Sequence, residues 1–280
     1  MHCFFVTDIH GKVSRYENLF SKIIEEKPDA VFIGGDILPS IFNSEYDDFI
    51  SDYLAKEILS LKKYLKDYFP DIFIILGNDD PRIYEEDLKK IEARDKLWYY
   101  MHMRKIQWKN YNVYGYSMIP PTPFLFKDWE KYDVSQYVDP GCVHPTEGYR
   151  SVDAPKNLKY SSIKDDLSDL CGETKQQNSI FLFHTPPYDT NLDRAALDGK
   201  MIEYVPLDVH VGSIAVKRFI EDHEPLLSLH GHIHESTKLT GIWSEKINNT
   251  WAFNGANDTQ ELCIITFDPE NLENAKRVLL

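Results

Sequence analysis

The chain has 280 residues, of which 42% are hydrophobic and 27% charged, and its formal net charge is −14. That balance fits one large soluble domain, or one domain carrying an insertion. The acidic field disfavours sequence-independent binding to nucleic acid or anionic lipid. A small phosphorylated substrate stays compatible if a local cation overrides that field. Cys3, Cys142, Cys171 and Cys263 stand far apart, with no C-x-x-C pair, which points to a reducing, cytoplasmic compartment. No basic segment leads into an apolar run, and no apolar run approaches the roughly 18 residues of a membrane span, so neither export nor a membrane location is expected.

The first ninety or so residues alternate between two patterns. CFFVTD (3–8) is a short apolar run ending in a carboxylate. Over 13–26, Val13, Tyr16, Leu19, Phe20, Ile23 and Ile24 recur at helical spacing. AVFIGGD (30–36) is a second apolar run, and the stretch from about Tyr46 to Tyr68, free of proline and glycine, predicts a helix. DIFIILGND (71–79) is a third run with a polar end. Strand–helix–strand–helix–strand implies βαβ units on a parallel core sheet. LWYYMH (97–102), KIQW (105–108) and YNVYGYS (111–117) read as shorter, aromatic-rich strands.

From Ile119 to about Asn178 the character changes. Pro120, Pro121, Pro123, Pro140, Pro145 and Pro155 interrupt regular structure. A segment of that length in a compact domain is expected to be a functional loop or cap, so 119–178 reads as an insertion with a helix near 161–171. Core character resumes at SIFLFH (179–184). GSIAVKRFIEDHE (212–224) predicts a helix, LLSLHGHIH (226–234) a strand ending in a histidine loop, and about 236–268 antiparallel strands with turns. No repeat or interdomain linker is evident, and 1–280 reads as a single domain.

The apolar runs end in metal-compatible side chains. They are Asp8 and His10 in TDIHG, Asp36 in GGD, Asn78 in GND, His184 in FLFHTPP, and His232 and His234 in HGHIH. Strand carboxyl ends in an open α/β sheet converge on one rim, so residues distant in sequence can meet there. Two carboxylates, one carboxamide and four imidazoles form a mixed oxygen–nitrogen set suited to manganese, iron, zinc or similar divalent ions. They are too many for one closed tetrahedral site. They suffice for two ions about 3.5–4 Å apart that share a carboxylate and leave room for water and a phosphoryl oxygen. Singly each element is weak: GGD after a strand is usually a turn, and a strand-end histidine is usually a hydrogen-bonded loop residue. The ordered set is far more specific, because each member must fall at a strand end.

In that order D-I-H, G-G-D, G-N-D-D, H-T-P-P and G-H-I-H resemble the calcineurin-like metallophosphoesterase family, whose pattern runs D-x-H, G-D, G-N-H-(D/E), H, G-H-x-H. The resemblance spans about Phe4 to Asn254, with 119–178 outside it, and Asn254 in FNGA is similar to the family's late N-P-G-S turn. It implies an α/β protein, a β-sandwich flanked by helices, here with an irregular insertion. It implies that Asp8, His10, Asp36 and His234 hold one ion, and Asp36, Asn78, His184 and His232 the other, Asp36 bridging. The implied activity is hydrolysis of a phosphodiester or phosphomonoester by a metal-bridging hydroxide. The ligand tyrosine of purple acid phosphatases is not evident.

Asp79 stands where the family usually places a histidine that protonates the leaving oxygen or stabilises the transition state. An unperturbed aspartate ionises near pH 3.9, and nearby cations lower that value, so Asp79 is expected to be charged. Loss of a general acid costs about 10²–10⁴-fold in rate. The expectation is a phosphoesterase tolerant of good leaving groups, or one taking its proton from water or substrate. Asp79 also reads as a turn residue in GNDDP, and Asp80 as a group supporting the ligands. Arg82 reads as a bidentate phosphate contact or as a solvated surface arginine.

Other residues carry paired readings. His210 in VHVGS is a substrate contact, or a loop residue before a helix capped by Gly212 and Ser213. His230 is a supporting group, although strand alternation turns it away from the His232 loop. Cys142 and His144 are two donors, short of a zinc site. Trp129, Tyr132, Tyr137 and Tyr149 either cap the ions and stack on a base or aryl group, or pack the insertion onto the body. A reading from another class is a non-catalytic metal-binding scaffold for protein interaction, like the retromer subunit of this fold, which also lacks the histidine. Against it, every donor position is filled. A nuclease is disfavoured by the charge, and a homo-oligomer formed through the insertion is left open.

Overall fold

Cys3–Val6 (β1), Ala30–Gly34 (β2) and Asp71–Ile75 (β3) pair parallel and in order. They belong to a computed structural model that describes residues 1–40, 46–172 and 174–280. Val13–Glu26 (α1) and Ala55–Leu65 (α2) make the crossovers, and Glu85–Asp95 (α3) leads to the edge strand Tyr99–Tyr100 (β4). Arg104–Trp108 (β5) and Tyr111–Tyr116 (β6) form a hairpin in a second sheet. Ile163–Cys171 (α4) and Ser179–Phe183 (β7) follow, β7 pairing parallel to β6. Met201–Ile202 (β8) and Val205–Pro206 (β9) are a small separate hairpin. Ile214–His223 (α5), Leu227–His230 (β10) and the short Ser236–Thr240 (α6) come next. The chain ends with Ser244–Ile247 (β11), Thr250–Asn254 (β12), Cys263–Phe267 (β13) and Lys276–Leu279 (β14).

Two six-stranded sheets result, ordered β14-β13-β1-β2-β3-β4 and β11-β12-β10-β7-β6-β5. Strand alternation decides what each face does. Cys3, Phe5, Phe32, Phe73 and Ile75 point inward and meet Val113, Ile180, Leu182, Leu229 and Phe253 of the other sheet in one buried cluster. Phe4, Val6, Val31, Ile33, Ile72 and Ile74 point outward under the crossover helices, with Leu19, Ile23, Ile58 and Leu88 among their buried partners. Tyr114, Tyr116, Phe181 and Phe183 form the other outer face, with Ile163, Leu167, Val216 and Phe219 of α4 and α5 in the same cluster. The central strands are therefore buried on both faces, which is why they read as unbroken apolar runs. The arrangement is a β-sandwich flanked by helices.

Three expectations change. The helix read over Tyr46–Tyr68 starts as a π-helical turn, Ile50–Leu54, becomes regular only over α2, and ends in a 3₁₀ turn, Lys66–Tyr68. LWYYMH contributes only Tyr99 and Tyr100 to a strand, because Leu97 and Trp98 are buried and Trp98 donates its indole N–H to Leu88 O on α3. The 236–268 region is not wholly antiparallel. It opens with α6, and β12 runs parallel to β10 while pairing antiparallel with β11.

Residues 119–162 have no α-helix or extended strand, only isolated bridges and a 3₁₀ turn, Leu158–Tyr160. Side chains hold them to the body. Trp129 is fully buried and its indole N–H donates to Asp80 O at 2.8 Å. Within the segment itself, Lys127 and Glu130 form a buried ion pair at 2.5 Å. Asp133 accepts from Ser213 Oγ and from the backbone N–H groups of Ile214 and Ala215, at the start of α5. Ser213 in turn caps α5 by accepting from Val216 N.

Candidate metal centre

Each donor follows the carboxyl end of a strand: Asp8 and His10 after β1, Asp36 after β2, Asn78 after β3, His184 after β7, His232 and His234 after β10. The first four come from one sheet and the rest from the other, so the centre sits across the rim of the sandwich. The loops are not relaxed. Asp8 (φ 54°), His10 (φ 52°), Asp36 (φ 50°) and His232 (φ 69°) all adopt the left-handed region. Such conformations in non-glycine residues cost on the order of 1 kcal/mol each and persist only where the surroundings enforce them.

The enforcing contacts are visible. Asp8 N donates to Gly35 O at 3.0 Å, His10 N to Asp36 O at 2.7 Å and Gly11 N to Ile37 O at 3.0 Å, lacing the first two loops together. Asp80, fully buried, accepts from Ile37 N (3.1 Å), Leu38 N (2.8 Å) and Gly77 N (2.9 Å), tying the Asp36 loop to the Asn78 loop. Arg15 on α1 is buried and donates to Asp8 O at 2.5 Å, Thr259 O at 2.6 Å and Gln260 O at 3.3 Å. The two glycines of the motifs make room. A Cβ on Gly35, itself at φ +97°, would come within 2.7 Å of His184 Nδ1, and one on Gly77 within 2.3 Å of Asp36 Oδ1.

One ligand atom from each of Asp8, His10, Asp36 and His234 lies within 4.8 Å of the others. His234 Nε2 is 3.1 Å from Asp8 Oδ1 and 3.2 Å from His10 Nε2. On the other side of Asp36, His184 Nε2 is 3.3 Å from Asp36 Oδ2 and 2.9 Å from Asn78 Oδ1. His184 Nδ1 donates to Gly34 O at 2.8 Å, which fixes the ring with Nε2 turned to the donors. The His232 ring lies 5.2 Å from that of His184, and His232 N donates to the Asp8 carboxylate at 3.2 Å. Asp36 thus stands between the two groups of donors, and all the expected donors come together. The oxygen–nitrogen chemistry of the set fits divalent cations.

The titrations show the same tension. Burial would raise the Asp8 carboxyl, but the hydrogen bond and charge of His234, with the charges of His184 and His10, hold it below the usual range. Burial opposes a proton on His184, yet Asp36, by charge and hydrogen bond, pushes that imidazole up to about 10. His234 is likewise raised to about 9 against burial, by its bond to Asp8. Burial and the charge of His184 lower His232 to about 3, and burial lowers His10. Protons on two imidazoles therefore balance the buried carboxylates when no cation does so.

Asp79 donates its backbone N–H to Asp36 Oδ1 at 2.8 Å, accepts from Asn78 Nδ2 at 2.8 Å, and places Oδ2 3.7 Å from His10 Nδ1. The charge of Asp36, then burial, pushes its carboxyl up to about 7, opposite to the shift that cations would cause. Its side chain is 57% exposed, so water screens part of that repulsion. Arg82, read as a phosphate contact or a solvated surface arginine, is partly buried, its side chain 21% exposed. Its Nε donates to Glu85 at 3.0 Å and its guanidinium lies 4.8 Å above the Trp129 ring.

His230 is buried, bridging Thr185 O and Ser228 Oγ, and so supports the loop that carries His184. His210 Nδ1 bonds the fully buried Asp193 at 2.8 Å. His144 bonds Tyr132 OH, and burial pushes the Cys142 thiol up to about 11. The sequence reading missed Arg15: one cation beside an apolar helical stripe carries no mark of its partners.

Comparison with known proteins gives a family and supports the fold. A family model described as calcineurin-like phosphoesterase matches residues 1–236. Among solved structures, the protein TT1561 of Thermus thermophilus is 16% identical with a TM-score of 0.56, covering 99% of this chain and 98% of that one. Another structure, also 16% identical, has a TM-score of 0.59 over 99% and 98% of the two chains. A protein described as a novel archaeal phosphodiesterase is 11% identical with a TM-score of 0.50 over 100% of both. At these identities the likeness is one of fold. No curated protein matches the chain.

Proposed function

The chain belongs to the calcineurin-like phosphoesterase family, and from that premise we propose that it is a hydrolase of small phosphomonoesters or phosphodiesters working with two divalent ions. The observation that carries the reading is the packing of Asp8, His10, Asp36 and His234 ligand atoms within 4.8 Å, with His184 Nε2 3.3 Å from Asp36 Oδ2. Asp8, His10, Asp36 and His234 would hold one ion. Asp36, Asn78, His184 and His232 would hold the other, with manganese, iron and zinc all suited to such donors. When bound, such ions supply Lewis-acid polarisation and neutralise phosphoryl charge.

The chain's own residues do the rest. Gly34 O and Asp36 set the His184 ring, while the Asp79 N–H fixes one Asp36 oxygen. By the family pattern the Asp79 carboxyl, beside His10 and partly open to water, would be the group that meets a leaving oxygen. As a carboxylate beside cations it offers no proton, so the reading favours substrates whose leaving group needs none, or a proton delivered by water. The free cysteines fit a reducing cytoplasm, and among the described residues no helix is long and apolar enough to cross a membrane.

The test couples metal analysis to turnover. Purified protein is loaded with manganese, iron or zinc. It is then assayed on 4-nitrophenyl phosphate, bis(4-nitrophenyl) phosphate, cyclic nucleotides, nucleotides and sugar phosphates. The expected result is near-stoichiometric metal and turnover of an activated ester, lost in Asp36→Asn. Full metal content with no turnover on any member of the panel would instead favour the scaffold.

A further inference from the structure

A groove of about 720 Å³ opens beside the metal centre, with His10 and Asp79 among its lining residues. Lys12 and Pro39, next to the metal-ligand loops, line it together with an apolar wall of Phe124, Leu125, Phe126 and Tyr149 from the 119–162 segment. Phe124, Leu125 and Tyr149 are 61%, 58% and 63% exposed. Large apolar side chains held together in water mark a binding surface when the backbone keeps them there, and here it does. Tyr149 N donates to Leu125 O and Lys127 N to Tyr149 O, both at 2.9 Å, while the Phe126 and Tyr149 rings lie 5.4 Å apart. Gly148 lets the two strips approach, since a Cβ there would sit 2.1 Å from Leu125 O. Lys12 lines the same groove. Its ammonium bonds the neutral Gln260 amide oxygen at 3.2 Å and forms no ion pair among the described residues.

We propose that this groove receives the alcohol part of the phosphoester and selects an aromatic one, an aryl or nucleobase-bearing group lying against Phe124 and Tyr149. The proposal rests on the phosphoesterase reading above and adds the substrate class. Three features converge. The groove is lined by the donor His10 and by Asp79, so an ester whose phosphoryl group reaches the donors can extend its alcohol into it. The wall is aromatic, and ring-on-ring contact favours aromatic over saturated rings of the same size. Lys12 supplies a cation at the groove of a strongly acidic chain, where an anionic ester must enter.

The test uses esters matched in size and in leaving-group chemistry: benzyl and cyclohexylmethyl phosphates, as monoesters and as methyl diesters. With metal-loaded protein, kcat/KM is expected to favour benzyl by about fivefold or more. Phe124→Ala and Tyr149→Ala should each bring the ratio towards one, and Tyr149→Phe should preserve it. Lys12→Ala should lower both esters alike. The same preference is read without turnover, by calorimetry of benzylphosphonate against cyclohexylmethylphosphonate. Turnover with a ratio near one in the wild type overturns the groove assignment and leaves the phosphoesterase reading standing. Absence of turnover on these esters and on the activated nitrophenyl esters alike, with the calorimetric preference intact, does the reverse. Turnover of the nitrophenyl esters alone leaves the calorimetric ratio to decide the groove assignment. A dimer that Phe124→Asp dissociates, with the benzyl ratio unchanged, would give the wall to a second copy of the chain and also overturn the proposal.

Discussion

Gly77→Ala should do as much harm as removing a metal ligand, although it adds one methyl group to a residue that coordinates nothing. The added carbon would lie 2.3 Å from Asp36 Oδ1, 2.5 Å from Asp36 N and 2.6 Å from His184 Cε1, each about 1 Å short of ordinary contact. None of these atoms can step aside cheaply. Asp36 N is backbone, and both side chains are buried. Separating the 34–38 and 76–80 loops would strain the Asp80 bonds and stretch the 2.8 Å bond from Asp79 N to Asp36 Oδ1. Overpacking of this kind costs about 1–3 kcal/mol, and loss of one hydrogen bond to a charged group about 1.5–3 kcal/mol. The sum, roughly 3–6 kcal/mol, is divided between folding and cation binding. If half falls on folding, the midpoint drops by about 3–12 °C, at about 2–4 °C per kcal/mol for a chain of this size. The other half weakens metal binding about 10- to 100-fold. Thermal melting in chelator, and metal content after dialysis at controlled free manganese, read the two parts separately. Gly199→Ala is the control: its Cβ would meet nothing within 4 Å, so only the backbone strain of its φ of +69° should register, with metal content unchanged. A Gly77→Ala protein that melts and binds manganese like the wild type would refute the reasoning.

Arg15→Met should destabilise the fold by about 2–4 kcal/mol in urea and lower metal content, because it frees the carbonyl of the strained Asp8 from its 2.5 Å bond. Asp79→His should raise kcat on an alkyl diester by about 10²-fold or more while changing an aryl ester far less; equal gains on both would argue against a missing proton donor. At pH 7.5, His184 and His234, raised to about 10 and about 9, both carry protons that a cation must displace. Manganese added to weakly buffered protein should therefore release about one to two protons per chain, and metal affinity should rise as pH rises towards 9. Titration without proton release would remove that competition from the account.

What was legible beforehand follows a physical line. The donors could be found because each ends a strand buried on both faces, and an unbroken apolar run closing on Asp, Asn or His is visible without knowing the partner strand. The register of α1 was legible for a similar reason, since Tyr16, Leu19 and Ile23 lie on one buried stripe. Arg82 was legible only in part. Its place next to a motif is plain, whereas the groups that hold its guanidinium are Glu85 and Trp129, and Trp129 lies far along the chain. The parallel entry of β12 beside β10 was hidden because short strands joined by turns usually pair with their neighbours; here α6 and β11 intervene and let the chain return in the same direction. Arg15 shows the limit most sharply. Its acceptors are the carbonyls of Asp8, Thr259 and Gln260. A carbonyl belongs to every residue, so no side-chain identity at those positions could have announced the contact. Metal donors are written in residue types and can be read from them. The clamps that hold their backbone in the left-handed region are written in peptide groups, and only the folded chain shows which of these meet.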